Sequence, residues 1–393
     1  MSRQLSGLLP GTGSVRLTVD DGLIVEVQVT DAVSDPSSTR FDGELLLPGL
    51  IDLQVNGYAG VDFNDAHLTT AAVRIVVEKL WALGVTGFCP TVITGPPDRM
   101  ASSVQTITAA CREDDDIAAS VMGVHLEGPW ISPLDGARGA HALKDVRPPD
   151  LAELRTLTTA GDVAILTLAP ELAGAPTLIA SAVAAGVKVS VGHSAALPDD
   201  VRIAVESGAT LSTHLGNGVP MTLPRHPNLI WQQLYDERLT CMFIADGHHL
   251  DLATLTAMAR AKGAARWMLV SDVTAIGGMP VGEYRTPVGG LVELTADGRL
   301  GMVGTGYLAG AARPLIDGLA RMLRVPELPA ADVMAAVSSV PARVLADRAS
   351  GRGRIAEGQR ADLVRARWNS DRRSLTAVET ISGGRTMWLA ESW

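Results

Sequence analysis

The stretch Val121-Met-Gly-Val-His-Leu-Glu-Gly-Pro-Trp130 decides how the rest of the chain is interpreted. It begins with the apolar residues of a buried strand, and the strand has to end near Glu127 because a Gly-Pro pair follows at once. A carboxylate at the end of a buried strand is costly unless it is paired or binds a metal ion. Two later strand-like segments also end in a polar residue, at His193 and His214.

Apolar, strand-like segments alternate with helical stretches such as Thr70–Leu83 and Pro176–Ala185 through the middle of the chain. This alternation of strand and helix is typical of an α/β protein with a (β/α)8 TIM-like barrel. After the last strand, we predict loops with a hairpin over Ala275–Gly310, followed by helices Ala312–Leu323 and Ala330–Leu345. The eight predicted strands are Leu47–Gln54, Thr86–Val92, Val121–Glu127, Val163–Ala169, Val187–His193, Ala209–His214, Thr240–Asp246 and Arg266–Asp272.

Short segments of alternating polarity occupy both ends of the chain, for example Leu23–Val29 and Ala377–Trp388. Because unpaired strand edges are a liability, we expect the two ends to pair into one small β-sandwich domain rather than to form two separate flaps. The predicted boundaries assign residues 1–47 and 346–393 to this domain and residues 48–345 to the barrel.

Composition excludes several classes of partner. The net charge is −10 and no run of Lys or Arg occurs, so nucleic acid is not an expected partner. No apolar run is long enough to span a membrane, and the N-terminus lacks the pattern of a signal peptide. The three cysteines, Cys89, Cys111 and Cys241, are odd in number and unpatterned, which favours a reducing, cytoplasmic location.

The carboxyl ends of barrel strands share one face, and active sites of such barrels lie there. A lone His at a strand end is more often structural than a ligand, but three such groups on converging strands favour a metal site. Glu127, His193 and His214 are a suitable ligand set for one zinc-like ion with an open position. The polar residues at the predicted strand ends are Gln54, Asn56, Glu127, His193, His214, Asp246 and Asp272.

Asp272 ends the eighth predicted strand, where an acid can accept a proton from an attacking water. A helix N-cap is the alternative role, but the following Gly277-Gly-Met-Pro disfavours a long helix. Gln54 and Asn56 point the same way along the first strand, either to form hydrogen bonds or as the remnant of a second metal site. Arg225 lies on a loop, where it is either an anion clamp or a solvated surface residue.

These motifs resemble those of the N-acetylglucosamine-6-phosphate deacetylases, in the amidohydrolase superfamily. The block His125-Leu-Glu-Gly-Pro129 with the downstream Gly139-Ala-His141 is the most specific part of the resemblance. The matching blocks run in the same order over nearly the whole chain: Leu47–Gly57, Gly123–Trp130, Arg138–His141, Val191–Ser194, Thr213–Gly218, Ile244–His249, Ser271–Ala275, Leu308–Gly310 and Ile355–Val364.

The resemblance implies hydrolysis of N-acetyl-D-glucosamine 6-phosphate to D-glucosamine 6-phosphate and acetate, in amino-sugar catabolism and cell-wall recycling, by a homodimer. It implies that Glu127, His193 and His214 hold the metal and that Asp272 is the acid and base. It also implies that His141 contacts the amide carbonyl of this small-molecule substrate. The implied binders of the phosphate are Arg225, supplied across a dimer interface, and His249, and the other implied substrate contacts are Ala140, Asn217, Gly218, Leu308, Ala309 and Gly310.

The chain departs from the superfamily at the end of the first strand. Many members have His-x-His there and hold a second metal, whereas this chain has Gln54-Val-Asn56. We therefore expect one divalent ion per subunit, zinc first, with iron, cobalt or manganese as alternatives. Departures at Gly216, Gly218 and Ala311 bear on substrate preference. The alternatives are a deacetylase of another amino sugar phosphate, such as N-acetylgalactosamine 6-phosphate, a cyclic-amide hydrolase, or a non-catalytic scaffold.

Overall fold

The computed structural model describes residues 2–32, 43–287, 289–372 and 374–391. Part of the predicted small β domain, residues 33–42, therefore lies outside the described residues. Within the described part, the strands are β1 (Arg3–Leu9), β2 (Gly13–Asp20), β3 (Leu23–Ala32), β4 (Glu44–Pro48), β5 (Leu50–Val55), β6 (Gly57–Tyr58), β7 (Val61–Asp62), β8 (Val85–Ile93), β9 (Val124–Glu127), β10 (Val163–Leu168), β11 (Lys188–Val191), β12 (Leu211–Ser212), β13 (Thr240–Ile244), β14 (Trp267–Val270), β15 (Gly282–Thr286), β16 (Gly290–Leu294), β17 (Leu300–Met302), β18 (Leu363–Asn369), β19 (Ser374–Ser382) and β20 (Arg385–Leu389).

Helices separate most of the strands in the middle of the chain. Short 3-10 helices cover Leu143–Asp145 and Ala346–Ala349. The α-helices of the described residues are α1 (Thr70–Trp81), α2 (Pro97–Glu113), α3 (Asp115–Ser120), α4 (Leu151–Ala160), α5 (Ala175–Ala184), α6 (Pro198–Glu206), α7 (Leu229–Tyr235), α8 (Leu252–Lys262), α9 (Leu315–Met322), α10 (Ala330–Ala336) and α11 (Ser339–Leu345).

Eight strands form one parallel sheet in the order β5-β8-β9-β10-β11-β12-β13-β14, and each overlaps one of the predicted segments. The sheet closes between its first and last strands, where the Asp272 N–H donates to the Gln54 carbonyl at 3.0 Å and the Asn56 N–H donates to the Val273 carbonyl at 2.8 Å. The prediction of a (β/α)8 barrel is confirmed. The side chains that end these strands therefore meet at one mouth.

Several predicted elements have different bounds in the structure, for local reasons. The third barrel strand begins at Val124 rather than Val121, because Val121 ends α3 and Gly123 has a φ of +96°. The helix predicted over Ala330–Leu345 is two helices, α10 and α11. Pro341 can lie only in the first turn of a helix, so a new helix has to begin shortly before it.

A second sheet joins both ends of the chain, as predicted for the small β domain. Its seven strands have the order β20-β19-β18-β4-β1-β2-β3, so strands from the C-terminus lie beside strands from the N-terminus. An ion pair at 2.7 Å between Arg3 on β1 and Glu379 on β19 links the two ends. The boundaries of the two predicted units, at residues 47–48 and 345–346, stay a prediction.

Two further observations concern the helices and the cysteine side chains. No helix in the described ranges combines the length and the apolar character needed to cross a bilayer. Cys89, Cys111 and Cys241 are all free thiols, and two of them are fully buried. The segment predicted to hold a hairpin, Ala275–Gly310, contains the antiparallel sheet β15-β16-β17.

Candidate metal centre and active site

Four ionisable side chains meet at the carboxyl ends of the barrel strands. Glu127 is the last residue of β9, while His193, His214 and Asp272 each lie two residues beyond the end of a strand. All four are at least nine-tenths buried. The structure therefore brings together the residues that the sequence predicted as metal ligands and proton acceptor.

The backbone at three of these residues is unusual for residues other than glycine. His193, His214 and Asp272 have φ values of 49°, 31° and 52°, in the left-handed region. Residues with side chains adopt this region at a cost, and such residues cluster at functional sites. Each of the three strands thus stops at the barrel mouth in the same strained way, which distinguishes these positions from ordinary strand ends.

The polar atoms of the cluster converge on one point. The Oε1 atom of Glu127 lies 3.0 Å from the Nε2 atoms of both His193 and His214, and these two nitrogens are 3.0 Å apart. A third imidazole joins them, because Nε2 of His141 lies 3.3 Å from Nε2 of His193. Two overlapping sets of side chains are each compact enough to hold one ion. One is Glu127 with His193 and His214, and the other is Glu127 with His141 and His193.

The hydrogen bond on the far side of His193 tests whether a metal fits this cluster. Nδ1 of His193 lies 2.9 Å from the Ala137 carbonyl oxygen, which can only accept, so Nδ1 carries the proton. When the ring is neutral, which is the form that binds a metal, Nε2 presents a lone pair to the Glu127 carboxylate, and two acceptors at 3.0 Å repel each other. A cation between them removes the conflict, and an imidazole held by its other nitrogen is the usual arrangement at metal sites. The donor set suits a single divalent ion.

Burial and mutual contact shift the protonation of these groups. Burial lowers the pKa of His141 to about 3, and the neighbouring His193 adds to the effect. Burial also lowers the pKa of His214, against the influence of Glu127. Burial alone would raise the pKa of Glu127, but the adjacent His193 and His214 side chains hold it well below its usual range. These shifts favour an ionised Glu127 and neutral His141 and His214, the forms that bind metal.

Gln54 and Asn56 form hydrogen bonds that link two carboxylates. Nε2 of Gln54 donates to Oε1 of Glu127 at 3.1 Å and to Oδ1 of Asp272 at 3.0 Å. Nδ2 of Asn56 donates to the same Oδ1 at 2.7 Å. The hydrogen-bonding role predicted from the sequence is therefore observed, and the remnant of a second metal site stays a prediction. Burial raises the pKa of Asp272 well above its usual range, and the negative charge of Glu127 raises it further.

A cavity of about 340 Å³ opens above the cluster and is lined by most of the predicted substrate contacts. Gly218 has a φ of +57°, and a Cβ atom there would lie 2.9 Å from Nδ1 of His193, so only glycine allows the loop to approach this closely. Ala309 is 2% exposed and does not line the cavity. The predicted contacts that line the cavity are Ala140, Asn217, Gly218, His249, Leu308 and Gly310.

The two predicted phosphate binders lie in different surroundings. His249 lines the cavity, and its Nδ1 lies 2.8 Å from Oδ2 of Asp246. Burial opposes ionisation of Asp246, but the hydrogen bond from His249 holds the Asp246 pKa well below its usual range. Arg225 is exposed on the loop before α7 and does not line the cavity of its own chain. The structure therefore does not bring Arg225 to the site within one chain.

The cavity also has walls that the sequence did not indicate. Val219, Pro220 and Met221 line it, as do Thr274 and Tyr307. Tyr307 directly precedes the predicted Leu308-Ala-Gly turn, so its position next to a motif was an available signal. The apolar residues 219–221 carry no such signal, because nothing in their type distinguishes them from other loop residues.

Comparisons with known proteins agree with these features. The model of the amidohydrolase family matches residues 45–387. The chain is 34% identical over 333 residues to N-acetylglucosamine-6-phosphate deacetylase of Mus musculus, covering 82% of this chain and 79% of the relative. It is 30% identical over 351 residues to N-acetylgalactosamine-6-phosphate deacetylase of Escherichia coli O157:H7, covering 89% of each. A solved structure of a mutant N-acetyl-D-glucosamine-6-phosphate deacetylase from Mycobacterium smegmatis, in complex with N-acetyl-D-glucosamine-6-phosphate, superimposes with a TM-score of 0.84 at 28% identity, covering 98% of this chain and 99% of that one.

Proposed function

The chain belongs to the amidohydrolase family, and we propose that it hydrolyses N-acetyl-D-glucosamine 6-phosphate to D-glucosamine 6-phosphate and acetate, in amino-sugar catabolism and cell-wall recycling. The convergence of Glu127, His193 and His214 on one point beside Asp272 is the observation that carries the proposal. An amide is stable in water, so its hydrolysis needs both an activated water and an acid for the departing amine. The cluster offers groups for both tasks.

Glu127, His193 and His214 are the proposed ligands of one divalent ion. His214 is preferred over His141 because its Nε2 lies 3.0 Å from both other ligand atoms, whereas the His141 hydrogen-bond contact joins it to His193 alone. When bound there, a divalent ion lowers the pKa of water and polarises a carbonyl oxygen. Two neutral imidazoles and one carboxylate suit zinc, and iron, cobalt or manganese are the alternatives.

Asp272 is the proposed base and acid. Its Oδ1 already accepts from the amides of Gln54 and Asn56, so Oδ2 is the atom free to accept a proton from the attacking water. The same carboxyl group then returns the proton to the nitrogen of the amine as the C–N bond breaks. The raised pKa of Asp272 suits a group that has to carry a proton between these two steps.

His141 is the proposed hydrogen-bond donor to the acetyl oxygen. It lines the cavity beside His193 and is neutral because burial lowers its pKa to about 3. A neutral imidazole donates an N–H bond to a developing oxyanion without adding a fixed charge that the buried cluster would have to balance. Asp272 thus serves the attacking water and the leaving amine in turn, while His141 serves the carbonyl oxygen.

The phosphate is proposed to bind to His249 of one subunit and Arg225 of a second copy. Asp246 holds Nδ1 of His249, which orients the ring toward the cavity that His249 lines. Because the chain has a net charge of −10, an anionic substrate needs local basic groups rather than a global field. The exposed position of Arg225 supports a site completed in a homodimer. The free thiols support a cytoplasmic location as part of the same proposal.

Acetate release is the direct test of the reaction. Purified protein is assayed on N-acetyl-D-glucosamine 6-phosphate, with and without chelator and with one equivalent of added zinc. We expect turnover that the chelator abolishes and zinc restores. Turnover that survives complete removal of metal would contradict the metal-dependent mechanism. Absence of both bound metal and amide hydrolysis would instead favour the non-catalytic scaffold.

The second candidate substrate is N-acetylgalactosamine 6-phosphate, which is favoured by the 30% identity to the Escherichia coli deacetylase of that name. The two sugars differ only in the configuration of one ring hydroxyl. Comparison of kcat/KM for both phosphates, with unphosphorylated N-acetylglucosamine as the control, separates them. A higher kcat/KM for the galactose isomer would overturn the proposed substrate while leaving the proposed reaction intact.

A further inference from the structure

A chain of hydrogen bonds runs through the barrel interior below the candidate site. The Ser190 and Thr213 hydroxyls lie 2.6 Å apart, and Thr213 lies 2.6 Å from the Thr167 hydroxyl. Thr167 contacts Nε2 of His125 at 2.8 Å, and Nδ1 of His125 contacts the Leu53 carbonyl at 2.9 Å. We call these five residues the hydroxyl–imidazole chain. Its four polar side chains are all at most 2% exposed.

The direction of every bond in this chain follows from its last member. The Leu53 carbonyl can only accept, so Nδ1 of His125 donates and Nε2 of the neutral ring accepts. Thr167 must then donate to His125, and it accepts from Thr213, which in turn accepts from Ser190. The hydroxyl–imidazole chain is therefore fully ordered from Ser190 to Leu53. A buried network with every bond satisfied is rigid and admits one arrangement.

Two of the four bonds cross the interior of the barrel instead of following the sheet. His125 is on β9 and Leu53 is on β5, and β8 lies between these strands in the sheet. Likewise, Thr167 is on β10 and Thr213 follows β12, with β11 between them. The chain thus fixes the relative height of strands that the sheet hydrogen bonds do not join directly.

Members of the hydroxyl–imidazole chain are close in sequence to the residues of the site. Thr213 directly precedes His214, and His125 lies two residues before Glu127 on the same strand. Residues two apart on a strand point to the same side, so the His125 side chain forms the layer below Glu127. Movement of His125 or Thr213 would therefore displace ligand atoms that now lie 3.0 Å apart.

We propose that Thr167 and His125 are positioning residues that hold Glu127 and His214 at the separation one metal ion requires. This inference rests on the metal site of the proposed function. Neither residue lines the cavity, so neither contacts the substrate there. They can affect the reaction only by changing the positions of Glu127 and His214 at the strand ends. Removal of partners that orient metal ligands typically costs about 10- to 100-fold in metal affinity.

The test compares isosteric and conservative variants of one buried residue. Thr167→Val removes the hydroxyl and interrupts the chain, whereas Thr167→Ser keeps the hydroxyl. Zinc affinity is measured by competition with a chromogenic chelator. We expect zinc affinity to fall about 10- to 100-fold in Thr167→Val and to stay near normal in Thr167→Ser. In Thr167→Val we also expect kcat to fall, while KM for the phosphorylated sugar changes by no more than about twofold. Unchanged zinc affinity in Thr167→Val would overturn the proposal, even if that variant unfolded at a lower temperature.

Thr86→Val is the matched control. Thr86 is a buried threonine of the barrel strand β8, but its hydroxyl has no hydrogen-bond partner among the described residues and lies outside the hydroxyl–imidazole chain. We expect this variant to bind zinc like the unmodified protein, and an equal loss of affinity would overturn the specific role of Thr167.

If Thr167→Val does not fold, Ser190→Ala is the variant to use, because it removes only the first donor of the hydroxyl–imidazole chain. A measurable loss of zinc affinity in Ser190→Ala then supports the proposal, and unchanged affinity overturns it.

The unmodified protein distinguishes this inference from the proposed function. Zinc binding at one ion per chain without acetate release would overturn the proposed reaction, while the Thr167 variants would still decide the positioning role by zinc affinity. Failure of the unmodified protein to bind zinc at all would overturn the zinc site and the positioning role together.

Discussion

Replacement of Asp272 by Asn tests the proposed chemistry with a change of one atom. Oδ1 of Asp272 accepts from two amide groups, Nε2 of Gln54 at 3.0 Å and Nδ2 of Asn56 at 2.7 Å. In Asp272→Asn, the carboxamide oxygen has to keep this position, because an NH2 group there would face two other NH2 groups. The new NH2 group therefore takes the place of Oδ2.

The expected loss of activity follows from that forced orientation. The variant presents two N–H donors where the mechanism needs a proton acceptor, so it loses general base catalysis and also opposes the incoming water. General acid–base catalysis is worth about 10²- to 10⁴-fold, and we expect the upper end of this range. A 10⁴-fold loss in kcat corresponds to about 5 kcal/mol of transition-state stabilisation. Substrate binding should change little, because the proposed phosphate binders are His249 and Arg225 rather than Asp272.

The assay is acetate release at saturating substrate, together with the metal content of each variant. Asp62→Asn is the matched control, because Asp62 is also 7% exposed but accepts from the Asn64 backbone N–H at 2.8 Å, a bond that Asn can keep. We expect normal turnover from the control and full metal content in both variants. Turnover by Asp272→Asn within about tenfold of the unmodified protein would refute the role as base. Loss of the metal from Asp272→Asn would show that Asp272 is a ligand instead.

Two further variants test the surroundings of the site. Gln54→Leu removes the amide that donates to both Glu127 and Asp272. We therefore expect the free energy of unfolding of the metal-free protein, measured by urea titration, to fall by about 1.5–3 kcal/mol. An unchanged free energy of unfolding would show that these hydrogen bonds contribute no net stability. Arg225→Ala should raise KM for the phosphorylated sugar roughly tenfold or more and leave the unphosphorylated sugar unaffected, whereas the surface variant Arg202→Ala should change neither. Equal effects of Arg225→Ala on both sugars would exclude a phosphate contact.

The sequence predicts the barrel and much of the site because both depend on local patterns. Six of the eight apolar runs of about strand length end in a polar residue, and the order of runs determines which ends meet. Glu127, His193 and His214 are therefore predictable as one cluster although His214 lies 87 residues beyond Glu127. The same reasoning cannot foresee that His141, from a loop with no regular period, brings its Nε2 within 3.3 Å of His193.

The remaining features depend on tertiary contacts that no local pattern encodes. An amide such as Gln54 has the same chemistry on a surface and between two carboxylates, so only the closed barrel identifies its two acceptors. His125 and Thr167 are 42 residues apart and resemble ordinary core-facing residues until their hydrogen bond is seen. Arg225 is the opposite case. The sequence resemblance predicts that it binds the phosphate, but within one chain Arg225 is exposed and does not line the cavity.

Charge balance explains why this site suits one ion rather than two. Among the described residues that line the cavity, the only acidic groups are Glu127 and Asp272, and there is no Lys or Arg. Buried charges are costly unless they are compensated, and one divalent ion would cancel the charges of Glu127 and of an ionised Asp272. A second ion would leave two uncompensated positive charges beside amide groups whose N–H bonds already point at those carboxylates. Gln54 and Asn56 thus supply, through their N–H groups, the partial positive charge that a second cation would otherwise bring to these carboxylates.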